Sequence, residues 1–179
     1  MPVIVHYSSP LEERAAFLEK LGLITVNFAL LENNMKEAVV RLLGLDLQAG
    51  AIVTAGLSFS ALLTLLGALA EDQLDGTVHL AKFRKKINEI DNAVHERNKI
   101  THSVWGIAPE TDRDWVRVAG RLPEKPGDVV VRMKTIVRQK GLFHQAQNYS
   151  IADLQSVADN LSRLAFEISG FPPLETRRA

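Results

Sequence analysis

The sequence predicts a mainly α protein, a four-helix-type bundle with a small antiparallel β insertion between the third and fourth long helices. Three observations lead there. Apolar residues recur at steps of three and four over four long stretches, the period of a helix buried on one face. After Trp105 the period changes to alternation, as in a sheet with one wet face, and stays so to about residue 149. Capping residues, Gly and Pro stand where such helices would begin and end.

Ser8, Ser9 and Pro10 form a helix start, with Glu12 and Glu13 favourably placed in the first turn. Phe17, Leu21, Ile24, Phe28, Leu31, Met35, Val39 and Leu42 then draw an apolar stripe that ends near Gly44. This long first helix suits one rod of a bundle or a dimer seam. Glu32 lies at the edge of its buried stripe.

Residues 47–70 contain no charge, so a membrane span has to be considered. Gly50, Gly56 and Gly67, the Ser and Thr residues, and the acidic flanks Asp46, Glu71 and Asp72 speak against one. The expectation is a loop or short helix, then a helix over about 58–70 that is apolar on nearly all sides and so central in the bundle. Asp75-Gly76-Thr77 makes a turn and cap before a third helix over about 77–103, whose first turns are basic at Lys82, Arg84, Lys85 and Lys86.

From residue 104, SVWGIA, WVRVAG, DVVVRMKTIV and LFHQAQNY read as strands, separated by the turn-rich spacers 109–114 and 122–128. Arg132, Lys134, Arg138 and Lys140 would make a basic edge, a device that also guards against aggregation. Ser150 with Asp153 is a capping box opening the last helix, with its stripe at Ile151, Leu154, Val157, Leu161, Leu164 and Ile168. Gly170 and Pro172-Pro173 end it.

A chain of 179 residues without repeat, low-complexity segment or linker reads as a single domain over 1–179. It has no cysteine, which excludes thiol nucleophiles, disulfides and thiolate zinc sites. MPVIVHYSSP lacks the pattern of a secretory signal, and a cytoplasmic location is expected. The formal net charge of zero hides an asymmetry: residues 1–76 carry 4 Lys/Arg against 9 Asp/Glu, whereas residues 77–147 carry 14 against 8. A basic segment of this kind suits an acidic partner such as nucleic acid, or a solvated surface with none. There is no P-loop, GxGxxG, HExxH or EF-hand loop, and His6, His79, His95 and His144 lack metal spacing. No metal and no cofactor is expected.

One cluster has a mechanism. Arg97, Asn98 and His102 close the third helical stripe of Phe83, Ile87, Ile90, Val94 and Thr101, just before Trp105-Gly106. At about 100° per residue, Arg97 and Asn98 fall on the two edges of that stripe and His102 just beyond Asn98. Asn98 and His102 are i, i+4 neighbours, so the amide could orient the imidazole. Polar groups at the core-side end of a stripe are costly unless paired or used. A structural account remains open: Arg97 paired with a carboxylate such as Glu32, and His102 bonded to the last helical carbonyls.

Arg97-Asn98-Lys99-Ile100-Thr101-His102 resembles the Arg-polar-x3-His signature of the HEPN superfamily, carried by one helix of a bundle. The resemblance implies a metal-independent endoribonuclease that pairs two such motifs across a homodimer, or a non-catalytic relative that only binds RNA, a nucleotide or a protein. Catalytic roles are then expected for Arg97, His102 and Asn98, with Glu32 as support and Lys99, Lys82, Lys85 and Lys86 as RNA contacts. RNA and a protein antitoxin are the expected partners, with no membrane. A purely structural helical dimer is the third reading.

Overall fold

The computed structural model describes residues 11–107, 129–138 and 141–171. Its elements in order are α1 (Leu11–Leu43), α2 (Leu47–Thr54), α3 (Phe59–Leu74), α4 (Val78–Thr101), β1 (Val104–Ile107), β2 (Val129–Arg138), β3 (Gly141–Ser150) and α5 (Ile151–Ser169). The chain is mainly helical. The expected start at Ser8-Ser9-Pro10, the strand WVRVAG, both spacers, Lys140 and Pro172-Pro173 lie outside the described residues.

The helix ends follow from local chemistry. Gly44 takes φ 66° after α1, a left-handed value that costs a glycine little. Asp46 and Ser58 cap α2 and α3, accepting from Ala49 N (2.8 Å) and Ala61 N (3.2 Å). Gly76 turns the chain at φ 72°. Thr77, expected to cap α4, instead donates its hydroxyl back to Leu74 O at 2.6 Å and so closes α3. Before α5 the capping box is reciprocal: Ser150 N donates to Asp153 Oδ2 (2.7 Å) and Asp153 N to Ser150 Oγ (3.0 Å).

The chain divides into two compact units, Met1–Leu23 with Arg97–Val157 and Ile24–Glu96 with Ala158–Ala179. In the second, which we call the helical unit, contacts link α1 to α3, α3 to α4, α4 to α5 and α5 to α1. Phe28 packs on Phe59 with ring centroids 5.1 Å apart, and Gln73 Nε2 donates to Leu42 O at 2.6 Å. Arg84 of α4 pairs with Glu71 of α3. Lys86 of α4 pairs with Glu167 of α5, and Phe83 meets Phe171 just beyond α5 at 5.7 Å.

Between α1 and α5 the rungs repeat every seven residues along α1. Asn27 Nδ2 donates to Ala158 O and Asn34 Nδ2 to Ala165 O, both at 2.8 Å, and Arg41 Nη2 reaches Phe171 O at 2.6 Å. The numbers rise together on both sides, so α1 and α5 run parallel here. Small buried side chains at Ala158 and Ala165 leave their carbonyls within reach of the amides. Ile24, Leu31, Met35, Leu62, Leu66, Phe83, Ile90, Leu161, Leu164 and Ile168 fill the core of this unit. Full burial of each such side chain contributes roughly 1.5–3 kcal/mol.

The uncharged stretch behaves differently from its reading as a central helix. Only Leu62, Leu66, Ala70 and Leu74 of α3 are buried, one stripe at steps of four, while Ser60, Ala61, Thr64 and Ala68 are exposed. α2 buries just Gly50 and Thr54, leaving Leu47 82% and Ile52 73% exposed. Among the described residues no helix is long and apolar enough to cross a membrane.

The first unit, which we call the motif unit, contains the sheet, with strand order β1-β2-β3 and antiparallel pairing throughout. Val104 pairs with Met133 and Ile107 with Val130, while Val129–Arg138 runs against Gly141–Ser150. This corrects the edge position expected of Arg132. It lies on the middle strand and is paired on both sides, to Trp105 and Gln147, whereas Lys134 and Arg138 lie beyond the β1 register, which ends at Met133, and pair with Gln145 and Gly141 of β3. Strand order depends on long-range pairing, which local alternation does not encode.

Candidate functional site at the end of α4

In the motif unit Arg97, Asn98 and Lys99 lie near the end of α4, and His102 follows just past it. Arg97 is half-buried, and its Nη1 donates to Oδ1 of Asn98 at 3.0 Å. Asn98, expected to orient the imidazole of His102, therefore turns its carbonyl oxygen to Arg97. The bond between Asn98 and His102 runs through the backbone, His102 N to Asn98 O at 3.1 Å. The side chains of His102 and Lys99 are exposed.

The last carbonyls of a helix lack intrahelical donors. Here the exit residues supply them. His102 N donates to Asn98 O, Ser103 Oγ to Lys99 O, and Trp105 Nε1 to Ile100 O at 2.9 Å. Thr101 Oγ1 adds a bond to Arg97 O at 3.1 Å. Trp105 itself packs against Phe17 (centroids 5.1 Å apart) and, edge-on, against buried Tyr149 (5.5 Å). The positive charges of Arg97 and Lys99 lie where the helix dipole is negative, which favours them.

The other expected site residues belong to the helical unit. Glu32, expected to support Arg97, accepts from Lys36 on its own helix at 2.7 Å. Lys82 and Lys85 are exposed. Lys86, expected to contact RNA, is committed elsewhere: its side chain is 15% exposed and donates to Glu89 Oε2 (2.6 Å) and to Glu167. Arg163 joins the same cluster, 2.8 Å from Glu167. Burial alone would lower the pKa of Lys86, but the hydrogen bonds it donates to Glu167 and Glu89 outweigh that and raise the pKa above its usual value. The hydrogen bond from Lys86 holds both carboxylates below the usual range.

Among the described residues no group of three or more His, Asp or Glu is placed to hold a metal ion. Comparison with known proteins finds no matching family, no matching curated protein and no matching solved structure. The chemistry of this chain is therefore read from its own residues.

Trp105 is the residue whose role the sequence reading passed over. The sequence marked it only as the helix exit. Thr101, Ser103 and Trp105 each carry a side-chain donor four or five residues after a carbonyl of the last turn, and that spacing was the available signal.

Proposed function

We propose that this chain is a metal-independent endoribonuclease of HEPN type, a four-helix-type bundle that acts on single-stranded RNA as a homodimer. The observation that carries the reading is an exposed His102 one helical turn beyond a linked Arg97–Asn98 pair, on a capped helix end. The closed series of contacts among α1, α3, α4 and α5 supports the bundle type.

In this reaction neutral His102 takes the proton of a ribose 2′-hydroxyl as its oxygen attacks the adjacent phosphorus. The bond from phosphorus to the 5′-oxygen breaks, and a protonated His102 of the second copy gives that oxygen its proton. The products are a 2′,3′-cyclic phosphate and a 5′-hydroxyl. Arg97 offers a permanently charged planar fork to the non-bridging oxygens as negative charge builds up. Each chain's motif holds one Arg and one His, so two copies supply both the base and the acid. Lys99, Lys82 and Lys85 are the RNA contacts of this reading. An RNA substrate implies a cytoplasmic setting, and a protein antitoxin is a further partner.

The test is cleavage of single-stranded RNA by wild type and His102→Ala, with EDTA present. Because His102 is exposed, the variant should keep its stability within about 0.5 kcal/mol and lose cleavage. A 2′-deoxyribose at the scissile position should block cutting, since the attacking hydroxyl is missing. A stable His102→Ala that cuts like wild type removes the assignment. A wild type that binds RNA but cuts none leaves a binding module.

A further inference from the structure

We infer that Trp105, outside the Arg97–His102 motif, is a positioning residue that holds His102 in place through its indole N–H; the catalytic part of this inference rests on the endoribonuclease reading. His102 lies one residue past the end of α4, where helices ordinarily fray. On one side of it stands Ile100, whose side chain is fully buried. On the other stands Trp105, packed between Phe17 and Tyr149. The bond from Trp105 Nε1 to Ile100 O, 2.9 Å, closes a loop of five peptide links around His102. Inside that loop His102 N remains bonded to Asn98 O, so its Cα stays in register with Asn98 and Arg97.

Trp105 touches no reacting atom in this scheme. It fixes the direction from which the imidazole leaves the backbone. Misplacing a catalytic group by about 1 Å can cost about 100-fold in rate, so a hydrogen bond of modest strength can matter more to turnover than to folding.

Trp105→Phe separates the two effects, because it keeps a ring against Phe17 and Tyr149 and removes only the N–H. The His102 amide should exchange with solvent about fivefold faster, as expected for one lost hydrogen bond. Cleavage should show kcat lowered about tenfold with KM unchanged. The partner variant, Phe17→Leu, keeps the N–H and thins the packing. It should lower the melting temperature while leaving kcat and His102 exchange as in wild type. Unchanged exchange at His102 in Trp105→Phe overturns the inference, as does an equal loss of kcat in Phe17→Leu. If wild type cuts no RNA, the endoribonuclease reading fails by itself, and the exchange measurement still decides whether Trp105 holds His102.

Discussion

Arg97 and Asn98 are adjacent on α4, and the guanidinium of the first donates through Nη1 to the amide oxygen of the second at 3.0 Å. Neighbours on a helix point about 100° apart, so the bond draws the two side chains toward each other. The amide serves Arg97, and its nitrogen remains as a donor. Asn98→Ala should remove one hydrogen bond that orients the fork of Arg97 and lower RNA cleavage about tenfold, with stability within about 1 kcal/mol of wild type. Asn98→Asp keeps an acceptor for Arg97 but sets a negative charge beside the phosphate, and should cut RNA less well than Asn98→Ala. Cleavage rates at subsaturating RNA, with a melting curve for each variant, measure both. An Asn98→Ala protein as active as wild type would remove Asn98 from the site.

The cluster of Lys86, Glu89, Arg163 and Glu167 predicts how stability depends on pH. The folded-state pKa values of Glu89 and Glu167 are depressed, chiefly by the hydrogen bond from Lys86. Their contribution is therefore fully present above the unfolded carboxylate value of about 4.3 and is lost as pH falls through the lower folded values. Lys86 has a raised folded value, so its contribution is present below about 10.4 and is lost as pH rises through the folded value. Melting temperature should fall on acidification below about pH 4.3, and by a smaller amount in Glu167→Gln. Equal acid slopes for the two proteins would show that this cluster does not set the acid limb.

Gly50 is where α2 meets α1. A Cβ built there would stand 2.3 Å from Val40 Cγ2 and 2.7 Å from Cγ1. Gly50→Ala gains about 1 kcal/mol of helix propensity, yet the overlap must push one helix off the other. A net loss of about 1–2 kcal/mol is expected by urea denaturation. Val40→Ala in the same chain should recover most of the loss, because it removes the atoms that clash. A Gly50→Ala protein more stable than wild type would mean that α2 shifts freely.

Most types and ends of the described elements were legible in the sequence, because they depend on neighbours a few residues apart. The stripe from Ile24 to Leu42, the cap at Ser58 and the reciprocal box at Ser150 and Asp153 all work within one or two turns. The same holds for the candidate site: Arg97, Asn98 and His102 lie within six consecutive residues at the end of α4, so their spacing alone grouped them. Partners far away in sequence were not legible. Helical period tells which face is apolar, not what covers it, and so α3 buries a single stripe where composition suggested a central helix. Long-range strand pairing made β2 the middle strand, and a carboxylate 81 residues away took Lys86 out of the basic surface. The tertiary structure decided these because the energy of each contact depends on a distance in space that no local spacing records.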